Sequence, residues 1–266
     1  MWVHTLNPTL VTLGPVEIRW YGLVYVLGFL LGWWWLRQAQ KKGLLPLSEE
    51  QISDLIFYLM VGVLIGSRLF MVFWNPEIYL WKPWNLLFIW QGGMSFHGGF
   101  VGIVIACAWY CRKHHQDFWK IADILSVPAL LALGLGRIAN FINGELWGRP
   151  WNGSWCVNFK NTGGGDLCRH PNMIYAALQR FLVTGWLWFL SSGKYKPGFI
   201  FWNFVFWEGL GRFAVDFFRE NALFLGLSLG QWFSLVMMLV AGTVFWKRYR
   251  KDWRVLFSSE SQTPRS

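Results

Sequence analysis

Charge is what this sequence of 266 residues has least of. Only 14% of positions are Asp, Glu, Lys or Arg, whereas ordinary soluble domains carry about 25%. A chain so lean in charge cannot clothe a water-facing surface. Cysteine is scarce too. Of four, Cys107 and Cys111 stand four apart, Cys156 and Cys168 twelve apart, and none forms a CxxC pair. With no cluster of metal-ligand spacing, neither a metal nor an organic cofactor is expected. A convincing internal repeat is missing. So is a cleavable leader, since the first apolar run follows Arg19 and the basic residues come after it.

What is abundant is apolar and aromatic. Hydrophobic residues make up 55%, and Trp alone occurs 21 times, a residue favoured at bilayer interfaces. Segments 20–36 and 221–246 carry no formal charge, and 55–74 carries only Arg68. Each approaches or exceeds the ~20 residues that cross a bilayer as a helix. Further runs at 96–111, 121–143, 173–192 and 199–217 bring the total to seven. The expected fold is an all-α, polytopic membrane helix bundle of about seven transmembrane helices. It forms a single integral membrane domain over 1–266, with a small external head at 144–172 and a basic tail at 247–266.

Lys and Arg fix the orientation. Segments 37–54, 112–120, 193–198 and 247–266 hold 14 of them; segments 1–19, 75–95, 144–172 and 218–220 hold six. The positive-inside rule puts the N-terminus outside and the C-terminus in the cytoplasm. The net charge of +10 is therefore a topological signal, and no nucleic-acid partner is expected. The run KRYRK at 247–251 suits anionic lipid. Cys156 and Cys168 fall on the external side, where a disulfide is predicted. Cys107 and Cys111 are expected to pack in the core. Asp123 is expected to pair with Lys120, and Pro128 is placed to kink its helix.

Four arginines interrupt the apolar runs. An arginine at mid-membrane costs about 2.5–3.5 kcal/mol and normally faces a partner or a wet cavity. The densest polar stretch is Gly134 to Arg149, GLGRIANFINGELWGR. On a helix Arg137 and Asn140 share a face, with Asn143, Glu145 and Gly148 close behind. Arg68, His97, Arg137, Arg212 and Arg219 all map to the outer half of the bilayer. Glu208, Arg212 and Asp216 recur every four residues, so Arg212 has helix neighbours able to neutralise it. His97 lies in GGMSFHGG, flanked by glycines, with a pKa suited to proton transfer. Tyr21, at the outer start of its run, reads as an interfacial belt aromatic. Guanidiniums at that depth suit the phosphate of a lipid headgroup. The residues alone leave open an enzyme or a carrier (a lipid or anion transporter) acting on an outer-leaflet anionic lipid.

The pattern Gly136-Arg137-x-Ala139-Asn140-Phe141-Ile142-Asn143-x-Glu145-x-x-Gly148 resembles the signature of the prolipoprotein diacylglyceryl transferases. The resemblance extends to Trp20-Tyr21-Gly22, to GGMSFHGG, and to Gly211-Arg212-Phe213 with Asp216-Phe217-Phe218-Arg219. It implies a multi-pass enzyme of the bacterial inner membrane. That enzyme transfers the diacylglyceryl group of phosphatidylglycerol to the lipobox cysteine of prolipoprotein signal peptides and releases glycerol phosphate. On this resemblance His97, Arg137 and Arg212 are the catalytic candidates. Tyr21, Arg68, Asn140, Asn143, Glu145, Gly148, Asp216 and Arg219 are the substrate-binding ones. The chain departs from the family pattern at Asn172-Met173, where Ser-Gln is usual, and at Ala176, where Glu is usual. It departs again at Glu208, usually Tyr, and at Asp216, usually Glu.

Overall fold

A computed structural model describes residues 2–14, 16–88 and 95–257, without the side chains of residues 13, 16, 73, 74, 96, 97, 254, 255 and 257. The chain is mostly helical. In order come strands β1 (Trp2–Val3), β2 (Thr9–Leu13) and β3 (Val16–Arg19), then helices α1 (Trp20–Lys41), α2 (Glu49–Trp74) and α3 (Pro76–Trp81). Helices α4 (Phe96–Lys113) and α5 (Phe118–Asn143) follow, then β4 (Val157–Asn158) and β5 (Cys168–Arg169). After α6 (Asn172–Ser191) and α7 (Phe199–Val215) come the hairpin β6 (Leu223–Phe224) and β7 (Leu227–Ser228), α8 (Leu229–Arg248) and α9 (Arg250–Phe257). Six of the seven predicted runs are carried by a helix each, and the seventh, 221–246, opens with the β6–β7 hairpin before α8 begins. Among the described residues four helices, within α2, α5, α6 and α8, are long and apolar enough to cross a membrane by length and composition. Their outer faces are apolar: Leu182, Trp188, Phe233 and Leu239 are all exposed, as a lipid solvent requires.

The chain divides into two compact units. Gly32–Ile121 is built on α2 and α4. Ser48 caps α2 through a reciprocal capping box with Gln51, and Ser95 accepts from the Gly98 N–H at the start of α4. The two helices meet where neither has a side chain. A Cβ on Gly66 would lie 2.3 Å from the Gly98 carbonyl oxygen, and one on Gly102 would lie 2.0 Å from that of Gly62. The small-xxx-small pattern lets the backbones touch. Gly98, expected to open space around His97, is thus a packing residue.

The second unit, Met1–Leu31 with Ala122–Ser266, holds the head and helices α6 to α9. The expected head at 144–172 is joined by the N-terminus, since β1, β4 and β5 form one small sheet. These short strands are an addition to the expected all-α architecture. Cys156 and Cys168 form the predicted disulfide. His4 Nε2 donates to the Phe141 carbonyl at 2.7 Å, tying β1 to the end of α5. Asp123, expected to pair with Lys120, has a partner within its own unit in the start of α7. Its carboxylate accepts from the Gly198 and Phe201 N–H groups, both at 2.7 Å, and so satisfies the orphan donors that open α7.

Candidate functional site

The end of α5 sets the geometry. Gly144 has φ +66°; its N–H bonds to the Phe141 carbonyl, and that of Glu145 to the Asn140 carbonyl. This pair of bonds is a Schellman motif, which stops the helix and turns the chain back over its last turn. Glu145 is thereby returned to the helix that preceded it. Arg137 Nη1 donates to Asn140 Oδ1 at 3.1 Å, and Asn140 Nδ2 donates to Glu145 Oε1 at 2.8 Å. Asn143 Nδ2 donates to the same oxygen at 3.1 Å. Three predicted site residues form a hydrogen-bonded chain behind Arg137, which holds its guanidinium in orientation.

Arg137 opens into a small cleft that Arg180, Arg212 and Arg219 also line, with Asp216 and Asn172. Arg137 lies within electrostatic reach of the other three arginines and of Glu208. Among the described residues, Arg137, Arg212 and Arg219 form no ion pair. Glu208, one turn before Arg212, bonds instead to Arg180 across the α6–α7 interface. Asp216 accepts from Ser228 Oγ at 2.7 Å. Burial holds the Arg219 guanidinium below its ordinary pKa, and Asp216 opposes that effect.

Gly148 sits behind the cleft. Its N–H donates to the His170 carbonyl at 3.0 Å, and a Cβ there would lie 2.6 Å from the Phe218 oxygen. It pairs with Arg219 in an isolated bridge, and Arg149 Nε donates to the Arg219 carbonyl at 3.0 Å. The loop after α5 therefore clamps the backbone that carries Arg219. His170 stacks on Trp151, with centroids 4.3 Å apart, and its Nδ1 meets Tyr175 Oη at 3.1 Å. Burial lowers its pKa.

The remaining expectations divide. Tyr21 Oη lies 3.3 Å from Tyr25 Oη, and Tyr25 is within electrostatic reach of Arg137. The backbone of His97 lies in the first turn of α4, while its side chain is outside the described residues. Arg68, expected among the lipid ligands, is instead turned to the backbone of its own unit. Its Nε donates to the Leu86 carbonyl at 3.0 Å, and its Nη2 to those of Asn85 and Phe88. Arg68 thus ties down the 3-10 turn Pro83–Leu87 that follows α3.

Two residues were not anticipated. Arg180 was one charge within an apolar run; the signal was a carboxylate, Glu208, in the next run, since buried charges of opposite sign seek each other. Ser228 was readable as a helix cap, because Ser228-x-x-Gln231 spells a capping box, which α8 uses. Its hydroxyl also anchors Asp216. A Cβ on Gly230 would lie 2.5 Å from Asp216 Oδ2 and 3.2 Å from Arg212 Nη2. The start of α8 therefore packs directly against Asp216 and Arg212.

Comparison with known proteins bears on the family of the chain. The family model described as prolipoprotein diacylglyceryl transferase matches residues 8–247. A phosphatidylglycerol–prolipoprotein diacylglyceryl transferase of Geobacter sulfurreducens is 40% identical over 246 residues, covering 90% of this chain and 94% of that one. The like-named protein of Rhodospirillum rubrum is 39% identical, over 90% of this chain and 91% of its own. That of Vibrio parahaemolyticus is 40% identical over 88% of both. Motif order, helical architecture and these similarities lead to one conclusion: the chain belongs to the prolipoprotein diacylglyceryl transferase family.

Proposed function

We propose that this enzyme transfers the diacylglyceryl group of phosphatidylglycerol to the lipobox cysteine thiol of prolipoproteins, the first step of lipoprotein maturation. The cysteine sulfur attacks the glyceryl carbon that bears the phosphate ester. A C–S bond forms and the C–O bond breaks. The oxygen leaves with phosphorus as glycerol phosphate, and the thiol proton goes to a base. The phosphodiester carries one negative charge, and the departing phosphomonoester carries about two. Charge thus grows at the phosphate as the reaction proceeds, and fixed cations facing it lower the barrier.

The observation that carries this reading is that Arg137, Arg212 and Arg219 line one cleft with no ion pair among the described residues. Arg137 and Arg212 grip the phosphate, and Arg219 adds to the field. Asn140, Asn143 and Glu145 orient Arg137, Asp216 orients the Arg212 side of the cleft, and Gly148 sets the position of Arg219. Tyr21 acts through Tyr25 on the approach to Arg137. His97 takes the thiol proton, a role that rests on its sequence motif. A free thiol with a pKa near ~8.5 needs such a base at neutral pH. Seven helices cross the inner membrane of the bacterium, with the N-terminus outside and the C-terminus in the cytoplasm, as the Lys/Arg distribution supports.

The test is incubation of purified enzyme with phosphatidylglycerol and a lipobox peptide, following peptide mass and glycerol phosphate. Both products are expected with the Cys peptide and neither with its Ser counterpart. Glycerol phosphate release that ignores the thiol would overturn the transferase.

A further inference from the structure

The cleft holds a fourth arginine that the mechanism above does not use. Arg180 is 3% exposed and Glu208 8%. Their ion pair uses Arg180 Nη2 and Glu208 Oε1, and Arg180 Nη1 donates to the Ala176 carbonyl at 3.0 Å. Two atoms remain over. Arg180 Nε and Glu208 Oε2 are both buried with no hydrogen-bond partner, and Asn172 Oδ1 is in the same condition. Buried polar atoms are almost always partnered, and an exception calls for a missing ligand or water.

Asn172, Ala176 and Arg180 recur at four-residue intervals, so they share a face of α6, and all three line the cleft. Arg180 folds back one turn to reach the Ala176 carbonyl, which draws its head toward Asn172. Ala176 adds only a methyl group between them. The three spare atoms are one donor and two acceptors, set on an ion pair that is neutral overall. That combination suits a neutral group with hydroxyls, each able to give and accept a bond. It does not suit a second phosphate, for which the unpaired arginines beside it are better placed.

We infer that Asn172, Arg180 and Glu208 form a subsite for the terminal diol of the glycerol headgroup, and so select the headgroup of the lipid. This rests on the proposed function, because the diol belongs to phosphatidylglycerol. The hydroxyls accept from Arg180 Nε and donate to Glu208 Oε2 and Asn172 Oδ1, while the adjoining phosphate meets Arg137 and Arg212. An ammonium headgroup in the same place would face the cations of the cleft and be repelled.

The test compares phosphatidylglycerol with phosphatidylpropanol, which has the same charge and chain but no headgroup hydroxyl. Both lipids give the same thioether peptide, so one readout serves for both. Wild-type enzyme is expected to favour phosphatidylglycerol by at least ~10-fold in kcat/KM, because the site's polar atoms stay unpartnered with the analogue. In the double variant Arg180→Met/Glu208→Leu, which removes the pair as a unit, the ratio is expected to fall to about one to two, whatever the absolute rate. In Asn172→Ala it should fall by about threefold.

Equal use of both lipids by wild-type enzyme overturns the subsite and leaves the transferase standing. The same holds if the double variant retains the wild-type ratio. Should the double variant not fold, an unchanged ratio in Asn172→Ala overturns the subsite equally. Wild-type enzyme inactive on both lipids would overturn the proposed function itself, and the subsite with it.

Discussion

Arg68 and Arg212 are each the single arginine of an apolar run, Arg68 without another charge in its run and Arg212 between Glu208 and Asp216. In the structure they have opposite fates. Arg68, in the unit of α2 and α4, donates to three backbone carbonyls of the loop that follows α3. Arg212, in the other unit, lines a cleft beside Arg137 and Arg219 and forms no ion pair among the described residues. The difference lies in what surrounds each guanidinium. The 3-10 turn after α3 has carbonyls to offer, whereas a cleft lined by four arginines and one carboxylate, Asp216, keeps an excess of positive charge that suits an anion. A buried arginine marks a binding site only when its neighbours do not already satisfy it.

That contrast is open to attack at several points. Arg137→Ala and Arg212→Ala should each lower kcat/KM for diacylglyceryl transfer by about 10³-fold, the scale of losing a preorganised charge contact. Retention of a tenth of the activity in either would erase the distinction from Arg68. His97→Gln should lower kcat by about 10²-fold at pH 7, and part of that loss should be recovered at pH 9, where the thiol ionises unaided. A loss that pH does not touch would remove the base role while leaving the phosphate site intact.

Gly230→Ala sharpens the comparison, because it moves the site without altering a charge. The added methyl would collide with Asp216 and crowd Arg212, and kcat/KM should fall about 10-fold with little change in thermal midpoint. Arg68→Met should do the reverse. It strips three carbonyls of their donor and should cost about 2–4 kcal/mol of stability, seen as a lowered midpoint in detergent, with activity falling only as the folded fraction falls. The smallest effect belongs to His170. Its pKa is lowered in the folded state, so below the ordinary value of about 6.5 the unfolded chain binds more protons and stability declines with falling pH. Protection factors in the head, which correct exchange for its intrinsic pH dependence, should fall between pH 7 and pH 5.5, and His170→Gln should flatten that dependence.

Much of this could be read from the residues. Uncharged runs marked the helices, and Arg137, Asn140, Asn143 and Glu145 came together because Gly144 ends α5 where the sequence places it. Arg212 and Arg219 reach the same cleft, as their shared depth in the membrane suggested. What could not be read was long-range pairing. Helix periodicity put Glu208 on the face of Arg212, yet Glu208 turns to Arg180, 28 residues away. Asp123 was near Lys120 in sequence but caps a helix 75 residues on. Charges choose partners by three-dimensional proximity and by unsatisfied backbone, and neither is encoded in local spacing. The hairpin β6–β7 was hidden for a different reason. Its residues are as apolar as the helix they precede, so only the Ser228 cap separated the two.

The central claim, that the unpaired arginines recognise phosphate charge, is tested most directly by equilibrium binding of two lipids to wild-type enzyme and to Arg212→Gln. Phosphatidylglycerol and uncharged diacylglycerol share their acyl chains and differ in the phosphate and headgroup. The substitution should weaken phosphatidylglycerol binding by at least ~10-fold, the loss of a charge-assisted contact, and leave diacylglycerol binding within about twofold. Equal weakening of both lipids would show that Arg212 shapes the cleft without reading the phosphate, and would contradict the account.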